Sequence, residues 1–77
     1  MGRENDVYSA VANVNLGNCL FAKGAFEKAK EFYNLALEND SSCVEALYNL
    51  GLAYKKTENF EEALSYFSKL QMIVNNH

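Results

Sequence analysis

Apolar residues recur along this chain at intervals of three and then four. Leu47, Leu50 and Tyr54 mark one such series, with the small residues Gly51 and Ala53 beside them. Phe60, Ala63, Leu64 and Phe67 mark another, and Leu16, Leu20, Phe26, Ala29 and Tyr33 take equivalent places earlier on. That period belongs to one face of an α-helix, not to a strand, whose side chains alternate in twos. The pattern predicts helices near residues 7–22, 26–39, 43–56 and 60–74. A helix of ~14 residues is about 21 Å long.

The breaks between the helices carry their own signals. Gly24 follows the first helix, where glycine accepts the left-handed backbone of a C-terminal cap. Ser42 is placed to cap the third helix, with Glu45 three residues on to complete a capping box. Asn59 and Glu62 offer the same arrangement for the fourth helix, although the break before them, "TENFEE", has no glycine.

The pattern also repeats. Residues 10–43 laid over 44–77 give seven identities: Ala12/Ala46, Asn15/Asn49, Leu16/Leu50, Gly17/Gly51, Phe26/Phe60, Glu27/Glu61 and Ala29/Ala63. Phe32/Tyr66 and Tyr33/Phe67 exchange one aromatic for another. A constant offset of 34 is the signature of a repeat array. The chain divides into a leader or helix start (1–9), a first unit (10–43) and a second unit (44–77). Gly17 and Gly51 lie inside helices, where glycine costs roughly 1 kcal/mol against alanine. Its occurrence twice at one register predicts close helix packing, against Tyr33 and Phe67 of the facing helices.

Composition supports an all-α reading. The chain has 77 residues, no proline and four glycines, and 49% of it is hydrophobic. That is enough for one small, marginal domain. A net charge of −3 argues against nucleic acid or an anionic membrane as the main partner, since either would want a basic stripe. No apolar run reaches the ~20 residues of a membrane span. "MGRENDVYSA" has no apolar stretch of the kind a secretory leader carries. Cys19 and Cys43 are far apart and lack partner histidines, so they read as reduced thiols rather than a disulfide or metal site.

Nothing in the chain points to catalysis, a cofactor or a metal. The one histidine, His77, is terminal, and no nucleophile, base or phosphate-cradling loop accompanies it. Glu61 and Glu62 are adjacent on a helix, about 100° apart, and do not share a site. Lys55, Lys56 and Lys69 read as a solvated basic face.

"NLGLAYKKTENFEEALSYFSK" and "NLGNCLFAKGAFEKAKEFYNLAL" resemble the tetratricopeptide repeat. They carry its Leu-Gly, Ala-Tyr, aromatic-x-x-Ala and aromatic positions in order, with Leu20 in place of the first unit's tyrosine. The match departs from the pattern at Asn13, at Ala25 and at the missing inter-unit proline. The resemblance implies two helix-turn-helix repeats of an α-α solenoid and a non-catalytic scaffold for protein partners. "NDSSCVEALYNLGLAYKK" with "EEALSYFSKLQMIVNN" is further similar to the polaris-type tetratricopeptide subunits of intraflagellar transport complex B. That similarity implies an excised piece of a longer solenoid, other complex B subunits as partners, and a place in the cytoplasm and cilium, at basal body and axoneme.

In such a solenoid the first helix of each unit lines the concave face. The resemblance assigns to that face Val11, Val14, Asn15, Asn18 and Phe21, then Glu45, Tyr48, Asn49, Leu52 and Lys55. Asn15 and Asn49 would point the same way, either as a handle for an extended peptide backbone or simply toward water. A second branch of the family grips acidic chaperone tails. Asn18 and Asn49 fit two positions of that clamp, but Val14 stands where it needs lysine. With two units only, Leu64, Tyr66, Phe67, Leu70 or Ile73 would be left partly uncovered, which predicts self-association.

Overall fold

In the computed structural model, which describes residues 6–75, four helices follow one another: α1 (Asp6–Ala22), α2 (Phe26–Asn39), α3 (Val44–Lys56) and α4 (Phe60–Asn75). The first five residues of the leader, and His77, lie outside the described residues. The observed helices match the predicted spans to within one residue at each end. α1 packs on α2, α3 on α4, and α2 on α3, so two helix hairpins stack in chain order. The result is an all-α slab with Cα extents of 38 × 33 × 14 Å.

Helix starts differ from the predicted capping. Cys43, not Ser42, holds the N-cap of α3, and it makes no side-chain cap bond. Asp40 explains the change: its Oδ1 accepts the Ser42 N–H at 3.1 Å and its carbonyl accepts the Cys43 N–H at 3.0 Å. The linker closes as an Asx-type turn, and Ser42 is drawn away from the helix. Asn59 does precede α4, but its Oδ1 lies 2.8 Å from the Thr57 hydroxyl, which donates to it.

The turns inside the two hairpins, α1–α2 and α3–α4, are copies 34 residues apart. Gly24 has φ +84°, and Glu58, its counterpart, has φ +65°. Both turns carry the same bonds. Gly24 and Ala25 N–H donate to Phe21 and Leu20 carbonyls, and Glu58 and Asn59 N–H donate to Lys55 and Tyr54 carbonyls. A left-handed backbone costs an L-residue roughly 1–2 kcal/mol. Glu58→Gly should therefore stabilise the protein by about 1 kcal/mol, read as a higher urea midpoint at unchanged slope. Gly24→Ala should lose a similar amount through backbone strain alone, since an added Cβ there meets nothing within 4 Å. A fall in midpoint for Glu58→Gly would refute this account of the turn.

The core lies where the hairpins meet. Ala10, Val14, Ala36 and Ala46 form one buried cluster, with Leu37 and Cys43 against it. Ala29, Tyr33 and Leu50 form the second, with Leu20, Phe21, Tyr54 and Tyr66 against it. Small residues in the first cluster let the helix backbones approach. The mid-helix glycines do the same within each hairpin. A Cβ on Gly17 would sit 2.6 Å from Tyr33 Cε1, and one on Gly51 2.5 Å from Phe67 Cε1.

One charge is buried at the joint between hairpins. Lys30 of α2 is 6% exposed. Its Nζ donates to Thr57 Oγ1 at 2.9 Å and to Glu27 Oε2 at 3.1 Å, and lies 4.2 Å from the centre of the Tyr54 ring. Tyr54 stacks on Tyr66 at 5.4 Å, and Lys69 covers the far ring at 5.1 Å. Two ammonium groups thus bracket a tyrosine pair, each attracted by a ring face. Burying the ammonium is tolerable because a hydroxyl, a carboxylate and a π face replace its water.

Candidate functional site

The face shared by α1 and α3 holds an open depression of about 320 Å³ lined by Asn18, Phe21, Ala22, Tyr33, Asn49 and Leu52. Helical spacing explains the set. Asn18, Phe21 and Ala22 lie three and four apart on α1, and Asn49 and Leu52 three apart on α3. Tyr33 reaches the floor from α2, through the gap that Gly17 leaves.

A small polar network organises this depression. The Asn18 carboxamide oxygen accepts two bonds, from the Tyr33 hydroxyl at 2.6 Å and from Asn49 Nδ2 at 2.9 Å. The Asn18 amide donates to Glu45 Oε2 at 3.3 Å. Asn18 is therefore engaged on both ends of its amide. Asn49 has spent a donor, and among the described residues its carbonyl oxygen accepts nothing. Burial, and then the Glu45 carboxylate, raise the Tyr33 phenol above its ordinary 10.0. Tyr33 is thus a protonated donor throughout the neutral range, and the network keeps one orientation.

The sequence-derived site residues fall into two groups. Asn18, Asn49 and Leu52 line the depression together. Asn15, Tyr48 and Lys55 are exposed and do not line it. Asn49 pairs with Asn18 rather than sharing a site with Asn15. The Tyr48 ring leans toward α4, 6.0 Å from the Phe67 ring. Val14, assigned to the concave face, is instead a core residue at 3% exposure, packed with Ala10, Ala36 and Ala46.

Sequence reasoning missed the Tyr33 hydroxyl. Tyr33 was read only as packing. A signal was available: the second unit carries Phe67 at that register, so the extra oxygen in the first unit asks for a partner. Among the described residues no group of three or more His, Cys, Asp or Glu side chains could hold a metal ion, and no helix is long and apolar enough to cross a membrane.

The site is thus a shallow apolar trough with one fixed amide carbonyl on its wall. It offers a hydrogen-bond acceptor, an aromatic floor and Phe21 and Leu52 as apolar sides. The sequence model of one protein family, described as Tetratricopeptide repeat, matches residues 8–71 of this chain. No curated protein matches it.

Proposed function

This chain belongs to the tetratricopeptide repeat family, whose repeats mediate protein–protein interaction, and from that membership we propose that it holds an extended segment of a partner protein in the trough between α1 and α3. The observation that carries this reading is the Asn18 network. It fixes the Asn49 amide and leaves its carbonyl oxygen turned to no partner among the described residues. A backbone N–H of an extended segment supplies the missing donor. An apolar side chain of that segment then rests between Phe21 and Leu52.

Selecting peptides from a displayed random library against this chain tests the reading. Amide shifts of the labelled chain should then cluster at Asn18, Phe21, Asn49 and Leu52, and Leu52→Arg should abolish binding. Shifts confined to the outer faces of α2 and α4 would place the ligand elsewhere and overturn it.

Two narrower readings remain proposals. Intraflagellar transport, with complex B subunits as partners and a ciliary location, is supported by the Asp40–Cys43 linker and the Lys69–Ile73 ending. Recovery of complex B subunits from ciliated-cell extract, lost with Asn49→Ala, would favour it, and their absence would remove it. The chaperone-adaptor reading has Asn18 and Asn49 in its favour. Against it, Val14 is buried, and asparagines alone give a carboxylate no charge-assisted bond.

A further inference from the structure

The 34-residue offset relates not only the two units but also the faces on either side of them. Within the chain, α2 covers α3 through three steps. Ala36 shares a buried cluster with Ala46, Tyr33 shares the other with Leu50, and Lys30 lies over Tyr54. Shifting α2 forward by 34 gives Leu70, Phe67 and Leu64 on α4. Shifting α3 back by 34 gives Ala12, Leu16 and Leu20 on α1.

These two shifted faces are exposed where their templates are covered. Leu50 is fully buried, and Leu16 is 48% exposed. Lys30 is 6% exposed, and Leu64 is 65% exposed. Leu16 and Leu64 stay open, while Leu20 packs against the Tyr33 cluster and Phe67 against Gly51 inside their own hairpins. The faces also complement each other. Where the internal joint sets a lysine against a tyrosine, the shifted pair is Leu64 against Leu20, apolar on both sides. Phe67 would meet Leu16 as Tyr33 meets Leu50. Leu70, larger than Ala36, would meet the small Ala12.

We propose that α4 of one molecule packs on α1 of a second copy in the way that α2 packs on α3 within the chain. The contact uses different surfaces on the two partners. It does not close on itself, so addition continues from both ends instead of stopping at a dimer. It is independent of the peptide trough, which lies on another face.

Sedimentation velocity over a wide concentration range tests this. The weight-average mass of the wild-type chain should rise continuously with no plateau at two chains. Leu16→Glu and Leu64→Glu should each be monomeric, because each buries a carboxylate in an apolar joint. Their equimolar mixture should form a species of two chains, since each variant keeps the face that the other has lost. A concentration-independent wild-type mass would overturn the proposal. So would association of Leu16→Glu alone, which would mean that α4 pairs with α4. Should either glutamate lower the helix content, Cys19 offers a block without it. Cys19 is exposed on the same face of α1, and alkylation with a bulky maleimide in a Cys43→Ser background should leave monomers. Undiminished association after alkylation would refute the arrangement.

Discussion

Leu50→Ala should remove about 3 kcal/mol of folding free energy, whereas Leu16→Ala, the same substitution at the same register, should remove less than about 1 kcal/mol. The two leucines are identical in their local sequence, Asn-Leu-Gly, and in their place within a helix. They differ only in what covers them. Leu50 is fully buried against Ala29 and Tyr33 of α2, so its truncation loses both the transfer free energy of the side chain and the packing around the cavity left. Leu16 is half exposed and leaves little cavity. A domain of this size has roughly 4–12 kcal/mol to lose, so the first variant should approach the unfolding threshold. Urea denaturation at low protein concentration measures both without a contribution from association. Equal losses would show that α2 does not cover α3 as described.

Gly17→Ala should cost about 2 kcal/mol, and Gly51→Ala should be close to neutral. Distance alone would rank them the other way, since the added Cβ meets Phe67 Cε1 at 2.5 Å and Tyr33 Cε1 at 2.6 Å. Both are far inside the 3.5–4.0 Å of ordinary carbon contact. What decides is whether the ring can move. Tyr33 is 1% exposed, walled by Ala29 and Leu50 and tethered by its hydroxyl to Asn18. Phe67 is half-buried at the outer hairpin, and a phenyl ring has no tether. Overpacking a rigid site costs typically 1–3 kcal/mol. At Gly51 the ring yields, and the roughly 1 kcal/mol that alanine gains in helix propensity offsets the remainder. Thermal or urea melts of the two variants give the comparison. A stabilised Gly17→Ala would show that Tyr33 is free to swing aside, and the asparagine network with it.

Most of the fold could be read from the chain because periodic apolar positions report helix faces directly. The mid-helix glycines were legible for a second reason: a residue that weakens a helix twice at one register has to be explained by packing. Burial was less legible. Leu16 and Leu50 look alike in sequence because burial depends on the neighbouring helix, which a local pattern does not describe. The capping of α3 was misread because Ser42 and Asp40 compete for the same stretch of backbone, and the turn formed by Asp40 takes up the Ser42 and Cys43 N–H groups. At the trough, helical spacing brought Asn18, Asn49 and Leu52 to one place. It could not show that the Tyr33 hydroxyl passes beneath Gly17 to orient Asn18, since that path crosses between helices.

Lys30 has a consequence for how copies of this chain sort themselves. If two molecules exchanged their outer helices, α4 would take the place of α2 on α3. Leu64 would then lie over Tyr54, and the Thr57 hydroxyl would lose its ammonium donor. The displaced α2 would carry Lys30 to the α1 face, opposite Leu20 and near Lys23, the counterparts of Tyr54 and Thr57. A lysine would leave its hydroxyl and aromatic partners for an aliphatic one and a like charge. The internal joint is therefore keyed by polarity and the outer joint by its absence, so the two are not interchangeable. A single buried ammonium makes the order of the helices a matter of chemical identity as well as of connection along the chain.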